Sequence, residues 1–311
     1  MPFEAIVKAT PSCCPKHVLK YPISHTNQVA IESVYCSYPP LQGIIPYTSL
    51  HHPFSSSQAA SKIVLVTGAN QGLGHAVIEV AGLRYPDNVY ILCSRDLEKG
   101  KEAAAKLQQQ GVKARVDAVQ LEVTNDEHIA AAVQHVEKNY GRLDVLVNNT
   151  GMLRGMGMPE NSPPGAIRSV FTELLDVHIT SVAVITLAFK PLLLKATAPK
   201  VINVTSGLGS ITNVLTPGRK MARAPAYGAS KVGMNGLTAH LQVIENDRAN
   251  AEVANAEKTS LGPRIRFFVS NPGALRTAFN GFHPLGKPPQ QGAESIVRMI
   301  ADDKGEYDDH V

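Results

Sequence analysis

The chain has 311 residues, 44% of them hydrophobic, enough for one large α/β domain or two small ones around a buried core. Its formal net charge of +4 is mildly basic, but Lys and Arg are interleaved with acids rather than gathered in a run, so nucleic acid is not an expected partner. No stretch approaches the ~20 consecutive apolar residues of a membrane span, no basic segment leads into an apolar run at the start, and four cysteines, Cys13 and Cys14 adjacent, suggest no disulfide framework; a soluble cytoplasmic protein with no membrane partner is expected.

Residues 1–60 are peppered with proline, from Pro2 to Pro53, and close on Ser55-Ser56-Ser57. They read as a largely irregular, poorly ordered N-terminal extension; a docking or targeting arm is the alternative. From Lys62 the texture changes to short β-branched runs alternating with amphipathic stretches. Strands are predicted over 63–66, 89–93, 115–123, 143–147, 200–205 and 264–270, and helices over 73–83, 97–110, 127–140, 167–194 and 226–245. Strict β-α-β alternation implies a parallel sheet with helices on both faces, because parallel strands need long right-handed crossovers. Residues 61–311 are therefore expected to be one Rossmann-like, doubly wound α/β domain.

Between the first strand and first helix lies Thr67-Gly68-Ala69-Asn70-Gln71-Gly72-Leu73-Gly74. Glycines there permit a tight turn and let backbone N–H groups approach a pyrophosphate at the positive end of the helix dipole. A turn serving only strand-to-helix packing is the plainer reading, and the strand before and helix after argue against it. Cofactor discrimination belongs at the end of the second strand, Cys93-Ser94-Arg95-Asp96. Arg95 can donate charge-assisted hydrogen bonds to a ribose 2′-phosphate, with Ser94 or Asn70 assisting, which favours NADPH; a solvated surface charge is the alternative. Asp96 can read the ribose or cap the following helix, and the cap is the plainer assignment.

Tyr227 and Lys231 are four apart in Tyr227-Gly228-Ala229-Ser230-Lys231 and so share one helical face. A lysine ammonium near a phenol lowers its pKa from about 10 and makes Tyr227 a usable acid or base. Ser206 ends the strand Val201-Ile202-Asn203-Val204-Thr205 and can hydrogen-bond a substrate oxygen.

Together these motifs resemble the classical short-chain dehydrogenases/reductases, over essentially residues 62–311. Asn148-Asn149-Thr150-Gly151 is similar to the family's Asn-Asn-Ala-Gly element, which implies that Asn149 lies against the cofactor. The family usually has Leu-Asp-Val where this chain has Leu121-Glu122-Val123, which implies that Glu122 and Val123 sit near the adenine. Asn271-Pro272-Gly273-Ala274-Leu275-Arg276-Thr277 resembles the segment that holds the nicotinamide carboxamide. The resemblance thus implies contacts to the cofactor from Gly68, Asn70, Gln71, Gly72, Leu73, Gly74, Arg95, Glu122, Val123, Asn149, Tyr227, Lys231, Pro272, Gly273, Leu275 and Thr277, with Ser206, Tyr227 and Lys231 catalytic. Asn70 together with Ser94-Arg95-Asp96 looks most like the NADPH-dependent carbonyl reductases.

The expected activity is therefore an NADPH-dependent ketone or aldehyde reductase, or the reverse alcohol dehydrogenase, acting on a small carbonyl or alcohol substrate. Secondary metabolism, carbonyl detoxification and lipid alcohol oxidation are not separated by the sequence. No metal is expected, since the histidines lack ligand spacing. Family members are dimers, tetramers or monomers, so a homo-oligomer is among the expected assemblies. Two departures stand out: His178 where the family commonly has an asparagine, and an end at Val311 where the family usually supplies a further strand. They motivate the alternative of a cofactor-binding regulatory or interaction protein with a weakened site; a methyltransferase leaves Tyr227 and Lys231 unexplained. Basic residues Arg219, Lys220 and Arg223 are expected in a loop near the substrate, and 246–262 as an extended helix end and surface loop.

Overall fold

Strands β1 (Ile63–Val66), β2 (Val89–Ser94), β3 (Arg115–Gln120), β4 (Val145–Asn148), β5 (Lys200–Val204) and β6 (Arg266–Ser270) form one parallel sheet in the order β3-β2-β1-β4-β5-β6. The computed structural model describes residues 61–218, 224–255 and 262–306, all within the second of the two units into which the chain divides, Ser56–Val311. The expectations for 1–60, for Arg219, Lys220 and Arg223, for the loop over 256–261 and for 307–311 lie outside the described residues.

Side-chain alternation explains why the central strands are apolar along their whole length. In β1, Val64 and Val66 face one layer with Tyr90, Leu92, Val145 and Val147, while Ile63 and Leu65 face the other with Ile91, Cys93 and Leu146. The first layer is closed by α1 (Gly72–Arg84), α2 (Leu97–Gln109) and α8 (Pro289–Ala301). The second is closed chiefly by α3 (Asp126–Tyr140) and α5 (Ser181–Leu193). Asp96 accepts from the Lys99 amide at 3.2 Å at the start of α2, and Asn125 from the His128 amide at 2.8 Å at the start of α3, each satisfying a first-turn donor.

The structure departs from the sequence reading at several boundaries. β3 ends at Gln120 rather than at Val123. The helix predicted over 167–194 begins at Pro164 as α4 (Pro164–Leu175), passes through a π-turn over Asp176–Thr180, and continues as α5; such a turn inserts one residue into the helix and is often found at functional sites. A short helix, α6 (Ile211–Leu215), and α8 were not anticipated. Yet α8 buries Ala293, Ile296, Val297 and Ile300, the i, i+3, i+4, i+7 stripe of an amphipathic helix. Helix α7 (Pro225–Asn255) runs past Glu245, as the extended helix end over 246–255 required.

Lys200 opens β5 fully buried. Its ammonium donates to Ile300 O at 3.0 Å and to Asp303 at 3.1 Å, beside Lys62, which binds the same two groups. Burial and the neighbouring Lys62 push its pKa down to about 8.

Glu245 fastens α7 to β6. Its buried carboxylate accepts from Arg248 Nη2 at 2.6 Å, Lys190 Nζ at 3.1 Å and the Ile265 amide at 3.1 Å. Desolvation would raise its pKa, but these donors outweigh that and hold it below the usual glutamate range. A depressed folded-state pKa stabilises the fold above the unfolded value of about 4.3 and stops doing so as pH falls through the folded value. Glu245→Gln is expected to lose about 2 kcal/mol at neutral pH. In thermal melts the gap between wild type and variant should close below about pH 4.

Candidate active site

The glycine loop is fixed to the strands on both sides: the Thr67 amide donates to Val147 O at 3.0 Å and the Ala69 amide to Cys93 O at 2.8 Å. Gly68 and Gly72 have φ of 60° and 61°, the left-handed region that a side chain disfavours. Gln71 precedes α1 without a side-chain cap, so the first amides of that helix are open to an anion. Leu73 packs its side chain against the core, and Asn70 is half-buried.

Asn149 braces this loop. Its side-chain amide donates to Thr67 O at 2.8 Å and Gly68 O at 3.2 Å, while Thr67 Oγ1 accepts from the amides of Asn149 and Thr150, each at 3.0 Å. On the other side of the loop is Thr277, whose side chain is 3.8 Å from where a Cβ on Gly72 would stand. Pro272 is half-buried and Gly273, at φ 75°, donates to Asn271 Oδ1. Leu275 is buried beneath Gly292 of α8, where a Cβ would come within 2.6 Å of it.

At the β2 end, Ser94 is buried, Asp96 is occupied as the cap of α2, and Arg95 is exposed with no ion pair to a described residue. Glu122 is half-buried, its amide donating to His128 Nδ1 at 3.3 Å, and Val123 belongs to the core below it. These loops, with the uncapped end of α1 and with Arg95, which pairs with no described residue, fit a dinucleotide.

Ser206, Tyr227 and Lys231 come together where β5 ends and α7 begins. Ser206 caps a single 3₁₀ turn over Gly207–Gly209, its Oγ accepting from the Leu208 amide at 3.3 Å. The Tyr227 ring is buried, with its phenol close enough to the Ser206 side chain to be influenced by it. Lys231, 3% exposed, donates to Val204 O at 2.9 Å, with Nζ 5.8 Å from the centre of the Tyr227 ring. One expectation is corrected here. The phenol pKa is raised, not lowered: burial pushes it up and Ser206 offsets only part of that. Lys231 is drawn to Val204 O, and its own pKa is lowered by burial to about 7.

His178, in the π-turn, is fully buried and edge-on to Tyr227, with ring centres 5.5 Å apart. Ser230 donates its one hydroxyl hydrogen to Tyr227 O at 2.7 Å, so the contact at 2.8 Å between His178 Nδ1 and Ser230 Oγ is donated by the ring. His178 Nε2 then accepts from the Met152 amide at 3.1 Å. Both nitrogens are committed, and burial followed by the Lys231 charge lowers the pKa to about 3. The imidazole is a neutral brace between the loop after β4 and the helix carrying Tyr227. Ser230 and Phe279, whose ring centre is 6.0 Å from that of Tyr227, were not singled out in the sequence. Neither lies in a spacing that marks a site.

A parallel sheet of this order, with a glycine loop at its centre and side chains converging beyond the strand ends, defines the doubly wound class of dinucleotide-binding domain. Residues 62–280 match the family model described as short chain dehydrogenase. A short-chain dehydrogenase/reductase of Aspergillus fumigatus is 63% identical over 252 residues, 81% of this chain and 93% of that protein. A short-chain dehydrogenase of Penicillium roqueforti is 31% identical, over 77% of this chain and 88% of that protein. Among solved structures, NADPH-bound carbonyl reductase from chicken fatty liver superposes with a TM-score of 0.61 over 78% of this chain and 92% of that one. At 20% identity that likeness is one of fold. The chain belongs to the short-chain dehydrogenase/reductase family of oxidoreductases.

Proposed function

We propose that this protein is an NADPH-dependent carbonyl reductase, able to run in reverse as an alcohol dehydrogenase, with Ser206, Tyr227 and Lys231 as its catalytic residues. The observation that carries this reading is the convergence of those three side chains beyond the end of β5. When bound, the nicotinamide supplies or accepts hydride. Tyr227 holds a proton at its phenolic oxygen, and burial keeps it there at neutral pH, which suits donation to a carbonyl oxygen. Ser206 hydrogen-bonds that oxygen as charge develops on it. Lys231 orients the phenol and the nicotinamide ribose. His178, neutral and with its one ring proton on Nδ1 committed to Ser230, keeps Tyr227 in place through that residue.

The glycine loop, Gly68 to Gly74 with Asn70, Gln71 and Leu73, would hold the pyrophosphate, Glu122 and Val123 the adenine, and Pro272, Gly273, Leu275 and Thr277 the nicotinamide carboxamide. Asn149 acts on the cofactor by bracing the loop. Arg95, exposed and with no ion pair to a described residue, is assigned to the 2′-phosphate. NADPH in the chicken carbonyl reductase supports this choice of nucleotide. Cys93 is a buried thiol whose pKa burial pushes far up, so it takes no part in the chemistry.

Titration with NADPH and NADH, followed by a carbonyl panel watched at the nicotinamide absorbance, tests the reading. Tight NADPH binding with turnover supports it. Binding of neither nucleotide overturns it, and binding without turnover on any carbonyl favours a regulatory protein. Arg95→Ala is expected to weaken NADPH roughly 10- to 100-fold, the worth of a charge-assisted hydrogen bond, and to leave NADH nearly unchanged. Equal effects on both nucleotides would contradict the phosphate assignment.

A further inference from the structure

Beyond Thr277 the chain makes a tightly held turn. Thr277 and Asn280 cap a 3₁₀ turn over Ala278–Asn280, and the Phe282 amide donates back to Thr277 O at 2.8 Å. Gly281 and Phe282 both have positive φ, 65° and 56°, and Phe282 is the one non-glycine residue so placed among the described residues. A bulky residue is rarely found there unless its surroundings enforce it. The base of the segment is pinned by Arg276, whose amide donates to Lys287 O at 2.8 Å and whose guanidinium donates to Pro284 O at 2.7 Å.

The result is to hold Phe279 against Tyr227. Its ring is inclined 60° to the phenol and 44% exposed, and Cε2 comes within 3.7 Å of where a Cβ on Gly151 would stand. Met152, Leu153 and Leu208 pack on the cluster that contains Tyr227. The ionisable side chains in contact with that ring, His178 and Lys231, are buried with their polar atoms already bonded. A carbonyl oxygen held by Tyr227 and Ser206 therefore has its carbon skeleton beside the open part of an aromatic ring, among apolar neighbours. A flat ring gains offset or edge contacts with Phe279 there, and among the described residues touching Tyr227 a charged substituent finds no free partner.

We propose that Phe279 is a specificity-determining residue that selects ketones carrying a flat apolar ring beside the reacting carbonyl. This rests on the carbonyl reductase reading of the same site. The test compares 1-tetralone with 2-butanone as substrates of the full-length protein with NADPH. It also measures 1-tetralone binding calorimetrically on NADPH-saturated protein, a readout that needs no turnover.

Wild type is expected to favour 1-tetralone in kcat/KM by at least about tenfold, and Phe279→Ala to shrink that ratio roughly tenfold, mainly through KM. Phe279→Tyr, which restores the ring, should restore the ratio. Phe279→Leu, which keeps apolar bulk without a ring, should not, and it serves in place of the alanine variant if that one melts early. Turnover without preference for the ring ketone, or a ratio unmoved in Phe279→Ala, overturns the role of Phe279 and leaves the reductase standing. Binding of 1-tetralone that weakens with loss of the ring, but no turnover, supports Phe279 and overturns the reductase.

Discussion

Tyr227→Phe is expected to lower kcat by about 100- to 10,000-fold, the range associated with a positioned general acid, while NADPH affinity and melting temperature change little. The substitution removes one oxygen and keeps the ring that packs against His178 and Phe279. Of the contacts described above, the phenolic oxygen gives up only its interaction with Ser206, whose Oγ still accepts from the Leu208 amide. Lys231 keeps its bond to Val204 O, so the charge beneath the ring stays where it is. Single-turnover measurements with pre-bound NADPH isolate the chemical step from binding. A variant that turns over as fast as wild type would remove Tyr227 from the proton transfer.

Gly74→Ala is expected to cost about 3 kcal/mol of stability and to abolish measurable nucleotide binding. A Cβ at this position would stand 2.5 Å from Asn149 Nδ2 and 2.9 Å from both Ala69 Cα and Gly68 O. Two of those atoms are backbone of the loop itself, and the third belongs to the amide that braces it. A side-chain rotation cannot relieve the clash, so α1 must move away from the loop and carry its uncapped amides with it. Chemical denaturation together with NADPH titration measures both effects. A variant that binds NADPH normally would show that the close packing at Gly74 has no bearing on the cofactor. Gly111, where an added Cβ would meet nothing within 4 Å, is the contrast: its φ of 90° makes substitution a matter of backbone conformation alone.

The sheet was legible in the sequence because buried parallel strands leave unbroken runs such as Ile63-Val64-Leu65-Val66, each followed by a helical stretch, with side-chain caps at the starts of α2 and α3. The same period hid α8, whose stripe from Ala293 to Ile300 is as regular as that of any other helix but follows a stretch rich in proline and glycine. The π-turn was not legible, since one inserted residue leaves apolar spacing almost intact across Asp176–Thr180. Within the site, the motif residues converge as their spacing implied, but side-chain partners did not follow from it. Which way Lys231 points depends on the carbonyl of Val204, 27 residues away, and the phenol pKa rises because the ring is buried. His178 stood out in the sequence only as a departure from the family's usual asparagine. Its neutral form follows from burial, and its tautomer from two partners, Met152 and Ser230, that are distant in sequence and brought together only by the fold.

The clasp that Lys62 and Lys200 make on Ile300 and Asp303 reaches further than the edge of the sheet. Helix α8 is a rod about 20 Å long, gripped at one end by those ammonium groups and pressed at the other, through Gly292, onto Leu275 in the loop that leads to Thr277 and Phe279. The segment that carries Thr277 and Phe279 therefore rests on a helix that is itself tied down at its far end by two lysines of the sheet edge.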